Sequence, residues 1–133
     1  MPNQVKILIV EDNPIVLLAN TTLIKMAGYS FDASETSKKA LKLAFKNPYD
    51  LIFMDLGLDE YMTGYQVAEK IRNENNPNQA TPIVALTAHT EEEVREQCLE
   101  VGMVDVLRKP ITVDTIKTVV QQYVLSQLKL VRK

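Results

Sequence analysis

Short, nearly continuous apolar runs alternate along this chain with longer stretches whose apolar positions recur every three or four residues. The runs cover residues 5–10, 50–54, 82–86 and 104–107. Their lack of in-out alternation predicts strands covered by helices on both faces. Residues 30–34 form a weaker run, expected nearer an edge of the same sheet.

The intervening stretches carry helix signals with recognisable ends. Asn13 can cap a helix that has Pro14 in its first turn, Ile15, Leu18, Leu23 and Met26 on its buried stripe, and Gly28 as its stop. Ala40, Leu41, Ala44 and Phe45 fit a second helix, and Val67, Ala68 and Ile71 a third. Thr90 and Glu93 have the spacing of a capping box, with Val94, Cys98 and Val101 facing inward before Gly102. A last helix is expected from near Thr112, burying Ile116, Val119, Val120, Tyr123 and Val124. Five strands alternating with five helices make an α/β protein. Because crossovers are right-handed, the series predicts a doubly wound parallel sheet with its site at the carboxyl ends of the strands.

Composition narrows the class. The 133 residues suit a single domain, with a core over about 5–124 and a helix and tail reaching 133. A net charge of -2 gives no basic footprint for nucleic acid, and direct binding to it is disfavoured. Cys98 is the only cysteine, so no internal disulfide can form and a cytoplasmic setting is expected. Cys98 itself, on the apolar side of its helix, reads as a core residue. The run at 5–10 is too short for a membrane span or a signal peptide.

The strand ends carry the chemistry. They are Glu11 and Asp12 after the first strand, Asp55 and Gly57 after the third, Thr87, Ala88 and His89 after the fourth, and Lys109 and Pro110 after the fifth. Each motif alone has a plainer reading: a helix-capping turn, a strand-end hydroxyl, a Lys-Pro loop. Their convergence on one sheet edge favours a site. If the first and third strands are neighbours, three carboxylates meet, and two charges about 4 Å apart repel by roughly 4 kcal/mol at an effective dielectric near 20. Such a cluster needs a cation or a proton. Oxygen ligands without His or Cys at metal-binding spacing favour Mg²⁺, or Mn²⁺, over zinc.

As an ordered set, Lys6-Ile7-Leu8-Ile9-Val10-Glu11-Asp12-Asn13, Leu51-Ile52-Phe53-Met54-Asp55-Leu56, Pro82-Ile83-Val84-Ala85-Leu86-Thr87-Ala88 and Arg108-Lys109-Pro110 resemble the receiver domain of two-component response regulators over essentially the whole chain. The resemblance implies a flavodoxin-like strand order 2-1-3-4-5. It makes Asp55 the phosphoacceptor, taking a phosphoryl group from the phosphohistidine of a histidine kinase or histidine phosphotransfer protein. Glu11, Asp12, Asp55 and the backbone carbonyl of Gly57 would hold the metal. Lys109 would supply a fixed ammonium, directed by Pro110 after a cis peptide, and Thr87 a hydroxyl for the phosphoryl group, with Ala88 leaving room for its approach. The chain would then be a signalling module that catalyses only its own phosphorylation and dephosphorylation, as a monomer or weak dimer.

The sequence also departs from the family pattern. Val106 stands where an aromatic residue is usual, so an aromatic rotamer relay is unavailable, and any output change is expected to use the loop after Thr87 and the helix near Thr90. After Asp55, Leu58-Asp59 replaces a common Met-Pro pair, and Gly64 lies nine positions on rather than eight. Asp59 and Glu60 could alter metal access or partner fit, or simply be solvated. His89 is either an ordinary loop histidine or, with Gly57, a regulator of water access to the acyl phosphate. Two other functions compete: an aspartate-nucleophile phosphatase, which usually has a second Asp where Gly57 stands, and a receiver that binds protein without phosphorylation. A flavin or nucleotide site is disfavoured because Glu11 and Asp12 would repel phosphate. A stand-alone regulator and a segment of a larger protein both remain open, residues 81–89 and 98–103 looking most like receivers of hybrid histidine kinases. The apolar tail residues Leu125, Leu128, Leu130 and Val131 either cover the core or support self-association.

Overall fold

In the computed structural model, which describes residues 4–127, strands and helices alternate in strict order. They are β1 (Lys6–Val10), α1 (Pro14–Met26), β2 (Ser30–Ser34), α2 (Ser37–Lys46), β3 (Leu51–Asp55), α3 (Gly64–Asn73), β4 (Ile83–Thr87), α4 (Glu92–Glu100), β5 (Asp105–Arg108) and α5 (Val113–Val120). All strand pairs are parallel, in the order β2-β1-β3-β4-β5, as the resemblance implied. The weak run at Ser30–Ser34 is an edge strand, as expected.

Side chains of successive strand residues point to opposite faces, so each strand feeds two cores. Leu8, Val10, Ile52, Met54, Ile83 and Ala85 pack beneath α2, α3 and α4, while Ile7, Ile9, Leu51, Phe53, Val84 and Leu86 pack beneath α1 and α5. Every residue of β3 and β4 is buried, which accounts for their unbroken apolar runs.

Most helix ends follow the sequence signals. Asn13 caps α1, its side chain accepting from the Ile15 and Val16 amides, and Thr112 caps α5. Two expectations need correction. In α1 the residues Ile15, Leu18 and Met26 are 78%, 69% and 67% exposed, whereas Leu17, Thr21 and Ile24 face the sheet. Leu23 is partly buried, as expected. This helix carries apolar residues on more than one side, and the face that packs includes a threonine whose hydroxyl is satisfied by the Leu18 carbonyl at 3.0 Å. The second correction concerns α4. Its cap is Glu91, without a side-chain hydrogen bond, so the Thr90–Glu93 box does not form. Glu92 and Glu93 in the first turn instead place negative charge at the positive end of the helix.

Helix α5 runs on into a π-helical turn over Gln121–Leu125, closed by the Ser126 amide donating to the Gln121 carbonyl. Leu125 packs against the core on this side, and Leu128, Leu130 and Val131 lie outside the described residues.

Two polar side chains tie together the loops at the amino-terminal end of the sheet. The Arg72 guanidinium donates to the carbonyls of Gly102 at 2.9 Å, Gln79 at 3.0 Å and Thr81 at 2.6 Å. Asn78, fully buried, accepts from the Tyr49 amide at 2.8 Å and donates to the carbonyls of Ala44 and Asn47. Asn78 thereby satisfies backbone groups buried in the interior, and Arg72 serves carbonyls nearer the surface.

Candidate functional site

Register places the carboxylates. Val10 pairs with Met54, so the residues that follow, Glu11 and Asp55, emerge side by side at the carboxyl edge of β1 and β3. Glu11, Asp12 and Asp55 each bring a carboxylate oxygen within 4.8 Å of the others. Glu11 and Asp55 are buried, and Asp12 is exposed. On the other side, Asp55 pairs with Leu86 and Thr87 with Arg108, which brings the ends of β4 and β5 to the same edge.

Lys109 closes the cluster. Its Nζ donates to Asp55 Oδ1 at 2.9 Å and stands 2.7 Å from Glu11 Oε1. Its backbone amide donates to the Thr87 carbonyl at 2.8 Å, and its bond to Pro110 is cis. Burial acts to lower the proton affinity of this amine. The nearby carboxylates of Glu11 and Asp55 outweigh it and lift Lys109 above the usual lysine value. Glu11 is pushed above the usual carboxylate value, first by burial and further by the Asp55 charge, although Lys109 and the Asn13 amide pull the other way.

The donor set fits a hard divalent cation. Among the described residues, three convergent carboxylates face a single ammonium, and buried Glu11 Oε1 has no hydrogen-bond partner, although Lys109 Nζ lies 2.7 Å away. An all-oxygen site of this kind suits Mg²⁺ or Mn²⁺. Gly57 is exposed, and a Cβ built there would lie 4.0 Å from Asp55 Oδ2, which puts this residue beside the oxygen that Lys109 leaves free.

Thr87 is buried, and its hydroxyl oxygen accepts from the His89 amide at 3.1 Å. Ala88 and His89 are exposed, with His89 Nδ1 3.6 Å from Glu91 Oε1. Val106 pairs with Ala85 and is buried beneath the α4 side of the sheet, away from solvent.

The loop between Asp55 and α3 holds the residue whose role the sequence left most open. Asp59 is not a freely solvated acid. Its carboxylate accepts from the Ser37 amide at 2.6 Å, the Ser37 hydroxyl at 3.0 Å, and the Tyr61 and Met62 amides at 3.1 Å each. These bonds, led by that of the Ser37 amide, hold its pKa below the ordinary value. Glu60 and Tyr61 beside it are exposed. Gly64 ends the loop where a Cβ would lie 2.2 Å from the Asp55 carbonyl oxygen, so only glycine fits there.

Comparison with known proteins agrees with this geometry. The family model described as "Response regulator receiver domain" matches residues 7–121. Hybrid signal transduction histidine kinase B of Dictyostelium discoideum is 38% identical over 80% of this chain, and the sensor protein EvgS of Escherichia coli 32% identical over 92%. The matched regions are 6% and 10% of those relatives' lengths. Among solved structures, the receiver domain of the sensor histidine kinase PA1611 from Pseudomonas aeruginosa, with magnesium coordinated in its active-site cleft, superposes with a TM-score of 0.81 at 32% identity, covering 90% of this chain and 97% of that one. A chain of the complex between the Saccharomyces cerevisiae phosphotransfer protein Ypd1 and the receiver domain of Ssk1 gives 0.82 at 25% identity, covering 93% and 91%.

Proposed function

This chain belongs to the response regulator receiver domain family of two-component signalling, and on that premise we propose that Asp55 is its phosphoacceptor in a phosphorelay. The observation that carries the reading is the arrangement around Asp55: Lys109 engages Oδ1, Glu11 and Asp12 stand within ligand range, and Oδ2 is left facing Gly57. Oδ2 attacks the phosphorus of a phosphohistidine, the P–N bond breaks, and the imidazole leaves with a proton from solvent. An acyl phosphate on Asp55 results.

Glu11, Asp12, Asp55 and the Gly57 carbonyl would hold Mg²⁺ or Mn²⁺, which when bound supplies charge neutralisation for the phosphoryl oxygens. Lys109 donates to those oxygens from the opposite side, and Pro110 fixes its direction. The Thr87 hydroxyl donates to one of them, Ala88 leaves it room, and His89 sets how readily water reaches the acyl phosphate. Val106 removes any aromatic relay, so the response passes through the loop that follows Thr87.

The donor is a histidine kinase or histidine phosphotransfer protein, a reading supported by the yeast complex in which a similar receiver meets Ypd1. Exposed Ile15 and Leu18 on α1, whose first turn follows the metal acids directly, offer that partner an apolar seat. Similarity to hybrid kinases supports a receiver of the hybrid type, with residues 1–133 as one domain. A cytoplasmic location follows from that reading. Among the described residues no helix is long and apolar enough to cross a membrane.

The test is incubation with a small-molecule phosphodonor, with and without Mg²⁺, read by intact mass for the wild type and Asp55→Ala. A single Mg²⁺-dependent phosphoryl adduct that disappears in the variant is expected. An adduct independent of metal, or one retained without Asp55, overturns the mechanism.

A further inference from the structure

Residues 56–63 leave β3 at the proposed metal site and must return to α3. The base of this loop is closed by the Gly64 amide donating to the Leu56 carbonyl at 3.0 Å, where Gly64 presses against the Asp55 backbone. Its middle is held differently. Leu58 is buried, and Asp59 reaches across to the first turn of α2, 22 residues earlier in the chain. There it takes the Ser37 amide and hydroxyl, while Oδ1 also takes the Tyr61 and Met62 amides of its own loop. One carboxylate thus folds the loop on itself and fastens it to a helix.

The Ser37 amide is one of the donors that a helix start leaves unpaired, and Thr36 already satisfies that of Lys39. An anion at this end of α2 is also favoured by the helix dipole. Gly57 lies between the two anchors, exposed and without a side chain to fix it. Fixing the backbone of even one residue costs conformational entropy. Unanchored, that ordering would be required each time Gly57 offered its carbonyl to a cation.

We propose that Asp59 is a positioning residue for the metal site: its bridge to Ser37 of α2 holds the lengthened loop so that the Gly57 carbonyl stands ready as a ligand. This rests on the metal-dependent reading of the site given above. It also explains how the chain manages with Leu58-Asp59 and one extra residue, since a hydrogen-bonded bridge supplies the local rigidity that a proline would otherwise give.

The experiment measures the Mg²⁺ dissociation constant calorimetrically on the whole unphosphorylated chain, together with amide hydrogen exchange over 56–63 and thermal unfolding. Asp59→Ala is expected to bind Mg²⁺ about tenfold more weakly, the equivalent of one ordered residue, with faster exchange in the loop. Ser37→Pro removes the same bridge from the helix side, because proline lacks the amide and is tolerated at a helix start, and extended Thr36 suits the position before it. It should weaken Mg²⁺ binding in the same direction but by less, because Asp59 keeps the Tyr61 and Met62 amides, and the double variant should bind no more weakly than Asp59→Ala alone. Asp59→Asn, which keeps one acceptor oxygen for the loop amides, should recover part of the affinity. If Asp59→Ala binds Mg²⁺ within about twofold of the wild type while losing thermal stability, Asp59 is only a helix cap and the proposal falls alone. If the wild type binds no Mg²⁺, the metal-site reading and the proposal fall together.

Discussion

The ammonium of Lys109 donates to Asp55 Oδ1 at 2.9 Å, a bond between residues 54 positions apart that joins the ends of β5 and β3. Since Glu11 lies 2.7 Å from the same nitrogen, Lys109→Met removes a cation that faces two members of the acid cluster. The metal-free variant should melt at lower temperature, bind Mg²⁺ more tightly, and accept phosphate from a small donor at least about tenfold more slowly. The sign of the pH effect follows from the raised pKa of Lys109. Its stabilising contribution is complete below the ordinary lysine value of about 10.4 and is lost as pH rises through the higher folded value. The gap in melting temperature between wild type and variant should therefore hold across neutral pH and shrink only in strong alkali.

Glu11 works in the opposite sense. Its folded pKa is raised, chiefly by burial, so its ionised form costs stability above that value and nothing below the unfolded carboxylate value. Glu11→Gln is expected to raise the melting temperature of the metal-free protein by a few degrees at neutral pH, with the advantage fading in acid. Added Mg²⁺ should reverse the order, stabilising the wild type and leaving the variant unchanged. Scanning calorimetry at several pH values with and without Mg²⁺ reads both effects.

Thr87 already holds the His89 amide through its hydroxyl oxygen, so any displacement of that hydroxyl toward a phosphoryl group carries the following loop with it. With Val106 in place of an aromatic relay, amide chemical shifts between Thr87 and Gly102 should change when the wild type is phosphorylated. Thr87→Val should still take the phosphoryl group but lose most of those changes. Unperturbed wild-type shifts in this segment would rule out the route.

Ile15 and Leu18 project from α1 beside the site without contributing to the core. Replacing both by Asp should leave phosphorylation by a small-molecule donor and the melting temperature unchanged. Transfer from a phosphorylated histidine phosphotransfer protein should slow by about tenfold or more, as expected when apolar contact area is lost from a docking surface. Equal transfer rates in stopped-flow measurements would remove α1 from the interface.

The same helix shows where sequence reading stops. Buried strands are legible because both faces demand apolar residues, and the register of β1 against β3 then carries Glu11 to Asp55. Helix α1 has apolar residues on two sides, and periodicity alone cannot tell that Thr21 goes inward while Leu18 goes outward. The cap of α4 depended on a single-residue shift from Thr90 to Glu91. Asp59, Arg72 and Asn78 were harder still, since each bonds backbone groups distant in sequence. A carboxylate that accepts such amides has the same local sequence context as one in water. The chemistry of the pocket was readable because the residue types are rare in combination, whereas its mechanical support uses common polar residues.

Arg72 and Asn78 give the sheet two unequal ends. At the amino-terminal end of the strands, the α2–β3, α3–β4 and α4–β5 connections are stitched to one another through backbone carbonyls. At the carboxyl end, the loop after Thr87 is exposed and lightly held. A push at Asp55 thus acts on a lever whose fulcrum is already set, and displacement should grow with distance from the stitched end, greatest where a partner can meet it.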